Sequence, residues 1–327
     1  MCGIIGFIGH EPAAPIGLQG LRKLEYRGYD SAGMASIKDG KLRLKKDAGR
    51  IEEINQRHKL GELPGNTAIA HTRWATHGGV SRENAHPHID CTNQVAVVHN
   101  GIVENYQELR QMLKGKGHIF TSETDTEVIP HLIEEYLKEG GTLEEAVLKA
   151  CQGLEGSYAF IVIWTQEPGK IVATRKDNPL VIGMGDGGSF ATSDILSLPN
   201  YDKVIFPDDG EVAILGSRGV AFLNAEGKQV EKEISSLNLE KQASDRGGYE
   251  HFMLKEIMEE PQALRQAIMQ DKQSFTQLAM DILRARQVVI TACGSSRYAA
   301  LVGRYLFSEV AKKFCDVVMA SAFQYFS

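Results

Sequence analysis

The sequence lacks any excess of basic residues, any long apolar run and any sign of an export signal. Its 327 residues carry 36 Lys and Arg against 42 Asp and Glu, a formal net charge of -6. No basic surface for nucleic acid is therefore expected. No apolar run approaches the ~20 residues of a membrane span, and the start lacks the basic and then apolar regions of a signal peptide. We expect no nucleic acid and no membrane among its partners, and a cytoplasmic location.

Cysteine is also scarce, and its spacing excludes two common uses. The five cysteines are odd in number and widely spread, without CxxC pairs or a metal-type spacing with histidine: Cys2, Cys91, Cys151, Cys293 and Cys315. A disulfide framework or a zinc finger would need closer, paired spacings. The cysteines are therefore predicted to be free thiols, and neither a metal site nor a cofactor is predicted.

The first two thirds of the chain mix short β-branched runs with amphipathic segments, and no internal repeat or low-complexity stretch interrupts them. Strands are predicted at Gly3–Ile8, Thr67–His71, Val95–His99, Ser157–Trp164, Lys170–Thr174, Lys203–Phe206 and Glu211–Leu215. A helix is predicted over Thr126–Lys138, ending at the Gly140–Gly141 pair. The next begins at Thr142, where Glu145 three residues on completes a capping box.

Chain length favours two domains, and the sequence changes character after Ser235. We predict one domain over residues 1–237, an interdomain segment with helices over 238–280, and the start of a second domain over 281–327. In that start, Gln287–Ala292 is typical of a buried strand, followed by a turn at Cys293–Ser296, a helix over Tyr298–Ala311 and a strand at Asp316–Met319. This order is the opening of a β-α-β unit with a parallel sheet.

Cys2 directly follows the initiator methionine, so removal of Met1 would leave a thiol and a free α-amine on one residue. A free thiol titrates near ~8.5 and an α-amine near ~7.7 to 8.0, so the amine can accept the thiol proton at neutral pH. Cys2 can therefore be a complete nucleophile and base. The alternative, a small apolar residue without a chemical role, is the commoner case for a lone cysteine.

Five further segments support the nucleophile: YRGYDSAG at Tyr26–Gly33, HTRWATHG at His71–Gly78, NAHP at Asn84–Pro87, HNG at His99–Gly101 and SETDTE at Ser122–Glu127. Together with Cys2 they resemble the glutaminase domain of the glutamine–fructose-6-phosphate aminotransferases, or glucosamine-6-phosphate synthases. The resemblance extends over essentially the whole chain. It implies an α+β fold, a four-layer α/β/β/α N-terminal-nucleophile glutaminase, followed by the opening β-α-β of an incomplete α/β sugar-isomerase domain.

The resemblance implies that Cys2 attacks the side-chain amide of glutamine, and that the Asn100 amide and the Gly101 backbone N–H form the oxyanion hole. The absence of a Cβ at Gly101 would let its backbone approach the substrate closely. Asn-Gly is also the commonest signal of a tight hairpin turn, and that alternative stays open.

The same resemblance assigns the remaining glutamine-binding residues. Arg73 would hold the α-carboxylate and Asp125 the α-ammonium, while Thr76 and His77 line the pocket and Trp74 closes over it. Alternatives remain: a surface salt bridge for Arg73, a helix cap for Asp125 and a structural histidine at position 77. Arg27 and Asp30 are explained equally well by an internal ion pair or by a ligand contact, and His86 is given no role beyond shaping its loop.

Cys293, Gly294, Ser295 and Ser296 resemble the family's first sugar-phosphate loop, where helix N–H groups and hydroxyls can bind a phosphate. A plain helix cap explains the same residues. Ala322 and Gln324 stand where the family has a glutamate and an arginine, and the rest of the sugar-isomerase domain is absent. We therefore expect a fragment or truncated product, which would form a homodimer if that domain were complete.

The predicted function is glutamine hydrolysis that supplies ammonia for conversion of fructose 6-phosphate to glucosamine 6-phosphate. Three alternatives remain open. The chain could be an autonomous glutaminase fragment, an amidotransferase with another acceptor, or a non-catalytic module that binds glutamine or a sugar phosphate.

Overall fold

The computed structural model describes residues 2–75, 77–185, 187–197, 203–236, 248–249, 252–268 and 272–325. The chain divides into two compact units, residues 1–245 and 246–327. The predicted boundary at residue 237, and part of the predicted interdomain segment, lie outside the described residues. The finer domain limits therefore stay a prediction.

The first unit contains two antiparallel sheets. The eight-stranded sheet has the order β15-β11-β9-β10-β1-β4-β2-β3. Its strands are β1 (Gly3–Gly9), β2 (Ser31–Lys38), β3 (Lys41–Ala48), β4 (Thr67–Arg73), β9 (Val181–Gly185), β10 (Gly188–Thr192), β11 (Lys203–Ile205) and β15 (Ser235–Ser236).

The seven-stranded sheet has the order β14-β13-β12-β8-β7-β6-β5. Its strands are β5 (His88–Ile89), β6 (Val95–Val103), β7 (Gly156–Trp164), β8 (Ile171–Lys176), β12 (Val212–Gly216), β13 (Gly219–Leu223) and β14 (Gln229–Val230). The helices of this unit are α1 (Ala13–Leu24), α2 (Ile51–His58), α3 (Tyr106–Gly115), α4 (Val128–Lys138) and α5 (Leu143–Gly153).

Three buried clusters show how these layers pack. Alternate residues of β1 point to opposite faces of its sheet, so Ile4 joins a cluster shared with Val98 of the other sheet. Ile5, on the opposite face, packs with residues of α1 and α2. The outer face of the second sheet is covered in the same way, where Val97 packs with Ile129 of α4 and with residues of α5. The predicted four-layer α/β/β/α fold is confirmed.

The predicted strands of this unit are present, with shifted ends. The largest shift is in β6, which continues beyond His99 to Val103. The α5 capping box is present, because the Thr142 hydroxyl accepts the Glu145 N–H and the Glu145 carboxylate accepts the Thr142 N–H. Strand β2 is one of several elements that were not predicted, because its Ala, Gly and Ser residues have little strand propensity; pairing with β3 and β4 on both sides overrides this.

The second unit contains α6 (Phe252–Ile268), α7 (Lys272–Arg284), β16 (Val288–Ala292), α8 (Gly294–Glu309) and β17 (Cys315–Met319). The two strands pair in parallel around α8, so the predicted β-α-β unit is confirmed. Two details were wrong. Helix α8 begins at Gly294, so the expected turn residues form its first turn, and β16 is half-exposed rather than buried, with Val289 39% exposed. Among the described residues, none of the helices is long and apolar enough to cross a membrane.

Candidate active site

Cys2 lies just before β1, near the middle of the eight-stranded sheet. Because β1 pairs with β4 through Gly3 and Thr72, the thiol lies beside the residues that follow β4. The Trp74 N–H donates to Cys2 Sγ over 3.2 Å, and the thiol lies 3.4 Å from the Trp74 carbonyl oxygen. Burial raises the pKa of the Cys2 thiol, and the Trp74 N–H and the charge of Arg73 offset only part of that rise. A nearby base is therefore needed to form the thiolate at neutral pH.

Asn100 reaches Cys2 from the other sheet. Its Nδ2 donates to the Cys2 carbonyl oxygen over 3.0 Å, and its Oδ1 lies 3.2 Å from His71 Nε2. Burial lowers the pKa of His71 to about 3, so the ring is neutral and donates through Nε2. This bond sets the orientation of the Asn100 amide. The amide nitrogen carries two hydrogens, so one remains for another acceptor.

Gly101 lies inside β6, so the alternative of a hairpin turn at Asn100–Gly101 is wrong. Its φ of 124° lies in the region that favours glycine, and an added Cβ would lie 2.1 Å from the Ser157 carbonyl oxygen of β7. The sequence analysis attributed this glycine to close approach of a substrate. Pairing with β7 already requires it.

Arg73 is buried, so the alternative of a surface salt bridge is wrong. Its guanidinium donates to the carbonyl oxygens of His77, Gly78 and Gly79, and the loop after β4 is therefore folded around it. Within the described part of the chain, no carboxylate lies within ion-pair distance of this group. A buried cation with only neutral partners is an electrostatic site for an anion.

Asp125 is buried and does not cap α4, because that helix begins at Val128. Its Oδ2 accepts the Val103 N–H over 2.8 Å, which ties the carboxylate to the end of β6. The loop that carries Asp125 is held by the buried Glu127 carboxylate, which accepts the N–H groups of Thr121 and Ser122, each over 2.7 Å. The helix-cap alternative for Asp125 is therefore wrong, because its carboxylate accepts a bond from the strand instead.

One small cavity brings most of the predicted glutamine-site residues together. It is lined by Cys2, Arg73, Trp74, His77, Gly101 and Asp125, and also by His86, His99, Thr124 and Thr126. Asn100 does not line the cavity but contacts Cys2, as described above. Trp74 is 47% exposed and lies at the rim, with its ring 5.8 Å from that of Tyr29. Thr76 lies outside the described residues.

Sequence reasoning missed four cavity residues, although all of them fall within the motifs that carried the resemblance. The Thr126 hydroxyl lies 2.8 Å from His99 Nδ1, and Thr124 Oγ1 lies 3.1 Å from His88 Nε2. Burial lowers the pKa of His86, His88 and His99. These rings are therefore neutral, and Arg73 and Asp125 supply the charges of the cavity.

Two polar residues of the first motif form internal contacts. Arg27 Nη2 lies 2.6 Å from Asp194 Oδ2, so the ion-pair alternative holds for Arg27, with a partner far along the chain. Asp30 Oδ2 accepts the Ala75 N–H and so holds the segment that follows Trp74. Neither residue lines the cavity.

The second predicted site is at the start of α8. Cys293 occupies the N-cap position without a side-chain cap bond, and Gly294 has a φ of 58°. Cys293, Gly294, Ser295 and Ser296 are all exposed. The first N–H groups of a helix have no partner within it, so this end can accept an anion.

Comparisons with known proteins agree with this fold. Residues 71–199 match the family described as glutamine amidotransferase domain. The solved phosphoribosylpyrophosphate amidotransferase of B. subtilis is 30% identical with a TM-score of 0.59, covering 70% of this chain and 50% of its own. A solved allosteric regulatory enzyme of purine biosynthesis is 32% identical with a TM-score of 0.60, covering 68% of this chain and 49% of its own. The chain therefore has the N-terminal-nucleophile fold of the glutamine amidotransferases.

Curated relatives narrow this class. Glutamine–fructose-6-phosphate aminotransferase [isomerizing] of Methanothermobacter thermautotrophicus is 47% identical over 99% of this chain and 55% of its own length. The enzyme of the same name from Pyrococcus horikoshii is 45% identical over the same shares. The chain belongs to the family of glutamine–fructose-6-phosphate aminotransferases, as the motifs predicted. It spans about half the length of these relatives.

Proposed function

We propose that this chain hydrolyses glutamine to glutamate and ammonia, with Cys2 as the nucleophile. The observation that carries the proposal is one cavity lined by a thiol, a buried guanidinium and a buried carboxylate, namely Cys2, Arg73 and Asp125. Among the described residues, no carboxylate forms an ion pair with that guanidinium. A free amino acid presents an anion and a cation at one end. The two charged side chains are complementary in charge to that end of the amino acid. The thiol can then react with the amide at the end of the side chain.

In this mechanism Cys2 Sγ attacks the side-chain amide carbon, and its proton passes to the α-amine that removal of Met1 exposes. The protonated amine then gives the proton to the leaving nitrogen, which departs as ammonia and leaves a thioester on Cys2. Water, deprotonated by the same amine, hydrolyses the thioester to glutamate and restores the thiol. The amine is the base that the raised pKa of the buried thiol requires.

The tetrahedral intermediates carry a negative oxygen that needs donors. The second hydrogen of Asn100 Nδ2 and the Gly101 N–H are proposed to supply them, with His71 holding the Asn100 amide in place. His77 and Thr76 are proposed to contact glutamine, and Trp74 at the rim to close over it. These roles follow the family resemblance and are compatible with the cavity.

The wider reaction is proposed from the relatives' name. Ammonia would convert fructose 6-phosphate to glucosamine 6-phosphate in a cytoplasmic homodimer, and the phosphate would bind at Cys293, Gly294, Ser295 and Ser296. The exposed first turn of α8 supports phosphate binding. In the proposed division of the chain, residues 1–237 are the glutaminase domain and residues 281–327 begin the sugar-isomerase domain. Residues 238–280 are the interdomain segment between them.

The test is glutamate release from glutamine by purified chain whose N-terminus has been determined by mass spectrometry. In protein from which Met1 has been removed, Cys2→Ala should lower the rate of glutamate release at least about 10³-fold, because the nucleophile is lost. Cys151→Ala is the matched control, since Cys151 lies outside the cavity, and should keep the rate. Undiminished release by Cys2→Ala would sink the proposal, and saturable glutamine binding without turnover in the parent chain would favour the binding module.

A further inference from the structure

Four side chains of the first unit converge at a place that the sequence analysis did not connect. Cys91 lies in the turn between β5 and β6, His118 follows α3, and His131 and Glu134 lie on α4. The last two are three residues apart, so they share one face of the helix. His118, His131 and Glu134 are buried, and Cys91 is exposed. None of the four lines the cavity that contains Cys2.

Five of the six separations between their ligand atoms are close to the edges of a small tetrahedron, and all four atoms lie within 4.8 Å of one another. Cys91 Sγ lies 3.6 Å from His118 Nδ1 and 3.5 Å from His131 Nδ1, and the two Nδ1 atoms are 3.2 Å apart. Glu134 Oε2 lies 3.2 Å from His118 Nδ1 and 3.5 Å from His131 Nδ1. Zinc bonds of 2.0 to 2.3 Å in tetrahedral geometry require ligand separations of about 3.3 to 3.6 Å.

The hydrogen bonds around the cluster leave these atoms available as ligands. His118 Nε2 lies 2.9 Å from Glu135 Oε1, a shorter contact than the 3.2 Å from Nδ1 to Glu134 Oε2, so a proton on Nε2 would bond Glu135 and leave the Nδ1 lone pair for a metal. His131 Nε2 has no hydrogen-bond partner among the described residues, and the nearest carboxylate oxygen given for it, Glu127 Oε1 at 3.9 Å, is an ionic contact that a proton on Nε2 would favour. Lys138 lies 3.1 Å from Glu134 Oε1, the oxygen that points away from the histidines' Nδ1 atoms.

The cysteine sulfur is also arranged as an acceptor. The Ile119 N–H donates to Cys91 Sγ over 3.4 Å, and the Cys91 N–H donates to Glu134 Oε2 over 3.1 Å. An N–H bond to the sulfur favours a thiolate, the form that binds metal. Carboxylates behind histidines and N–H groups behind a thiolate are the usual outer partners of metal ligands.

We propose that Cys91, His118, His131 and Glu134 bind a zinc ion. One sulfur, two imidazole nitrogens and one carboxylate oxygen are ligands that Zn²⁺ accepts, whereas Mg²⁺ and Ca²⁺ prefer oxygen throughout. Four protein ligands fill a tetrahedral shell and leave no open position, so the ion has a structural role. It joins the β5–β6 turn, the segment after α3 and helix α4, and so anchors both ends of the loop that carries Asp125.

The experiment is metal analysis of the full 327-residue chain, prepared without a histidine tag under reducing conditions and dialysed against zinc. Elemental mass spectrometry is expected to find about one zinc ion per chain. Cobalt loaded in its place should give the intense absorption of a cobalt–thiolate bond. Cys91→Ser should abolish that absorption and weaken zinc binding at least about 100-fold, as measured by competition with a chromophoric chelator.

Cys151→Ser is the matched control, because it removes a thiol of the same unit outside the cluster and should keep both signals. Glu135→Gln keeps all four ligands but replaces the charged acceptor behind His118 with a neutral amide, and should weaken zinc binding about 10-fold. If Cys91→Ser does not fold, His118→Gln serves in its place. Absence of stoichiometric zinc in the parent chain, or parent-like affinity in Cys91→Ser or His118→Gln, would overturn the proposal.

Discussion

Gly101 shows how one residue can satisfy a constraint different from the one that its motif suggests. The Asn100–Gly101 pair is typical of a hairpin turn, yet both residues lie within β6. The glycine is required because its φ is 124° and the Ser157 carbonyl oxygen occupies the place of a Cβ. The freedom of glycine to adopt a positive φ, which also favours it in turns, is here used inside a strand, next to Asn100.

We expect Gly101→Ala to destabilise the first unit by about 3 kcal/mol or more, since it combines backbone strain with a clash against main-chain atoms. Gly140→Ala is the matched control. Gly140 has a φ of 87° with nothing within 4 Å of an added Cβ, so it should cost only about 1 kcal/mol. Urea unfolding followed by tryptophan fluorescence measures both, and equal losses in the two variants would refute the clash.

At the scale of single elements, the start of a helix was predicted correctly where the capping residues are neighbours in the sequence. It was misplaced where the residues before the helix bind distant parts of the chain. Helix α5 begins as predicted, because Thr142 and Glu145 satisfy each other's N–H groups. Helix α4 was expected from Thr126 but begins at Val128. Thr126 instead contacts His99, and Asp125 accepts a bond from Val103, so tertiary partners hold this segment out of the helix.

The α5 cap provides a direct test at this scale. Thr142→Ala removes the acceptor of the Glu145 N–H and should cost about 1 kcal/mol of the free energy of unfolding. Thr142→Ser keeps a hydroxyl at the same position and should cost much less. The two variants are compared by urea unfolding with a common slope. A Thr142→Ala protein as stable as the parent would show that the observed cap contributes nothing.

At the scale of the whole molecule, the ion pair of Arg27 and Asp194 joins positions 167 residues apart. Burial alone would raise the pKa of Asp194, but hydrogen bonds from Tyr26, the Leu196 N–H and Arg27 hold it below its usual range. Because the folded pKa lies below the unfolded value of about 3.9, this contribution is complete above about pH 4 and is lost as pH falls further.

Asp194→Asn should therefore be less stable than the parent by about 2 kcal/mol at pH 7 and at pH 5. The difference should shrink below about pH 4, since protonation removes the same charge from the parent. Urea unfolding at a series of pH values measures this difference. Arg27→Gln, which leaves the carboxylate but removes its partner, should follow the same trend. A stability difference from the parent that stays constant down to the lowest pH would contradict this account.

The sequence alone predicted the family, the α+β fold class, the candidate nucleophile, about half of the helices and strands, and six of the ten residues that line the cavity. These predictions rest on features that are local in the sequence: the position of Cys2, the strand and helix periodicities, and short motifs. It could not show that Arg73 is buried, or that the Asp125 carboxylate accepts a bond from the end of β6. Both depend on which segments meet when the two sheets pack.

Tertiary structure alone brought Cys91, His118, His131 and Glu134 together. Within the sequence only His131 and Glu134 show a usable spacing, three residues apart on a helix, which is common on ordinary helix faces. The cysteine and the other histidine come from segments 40 and 13 residues before His131. Their approach is set by the packing of α3, α4 and the β5–β6 turn. Burial, and with it the pKa of each titratable group, is likewise a property of the assembled layers.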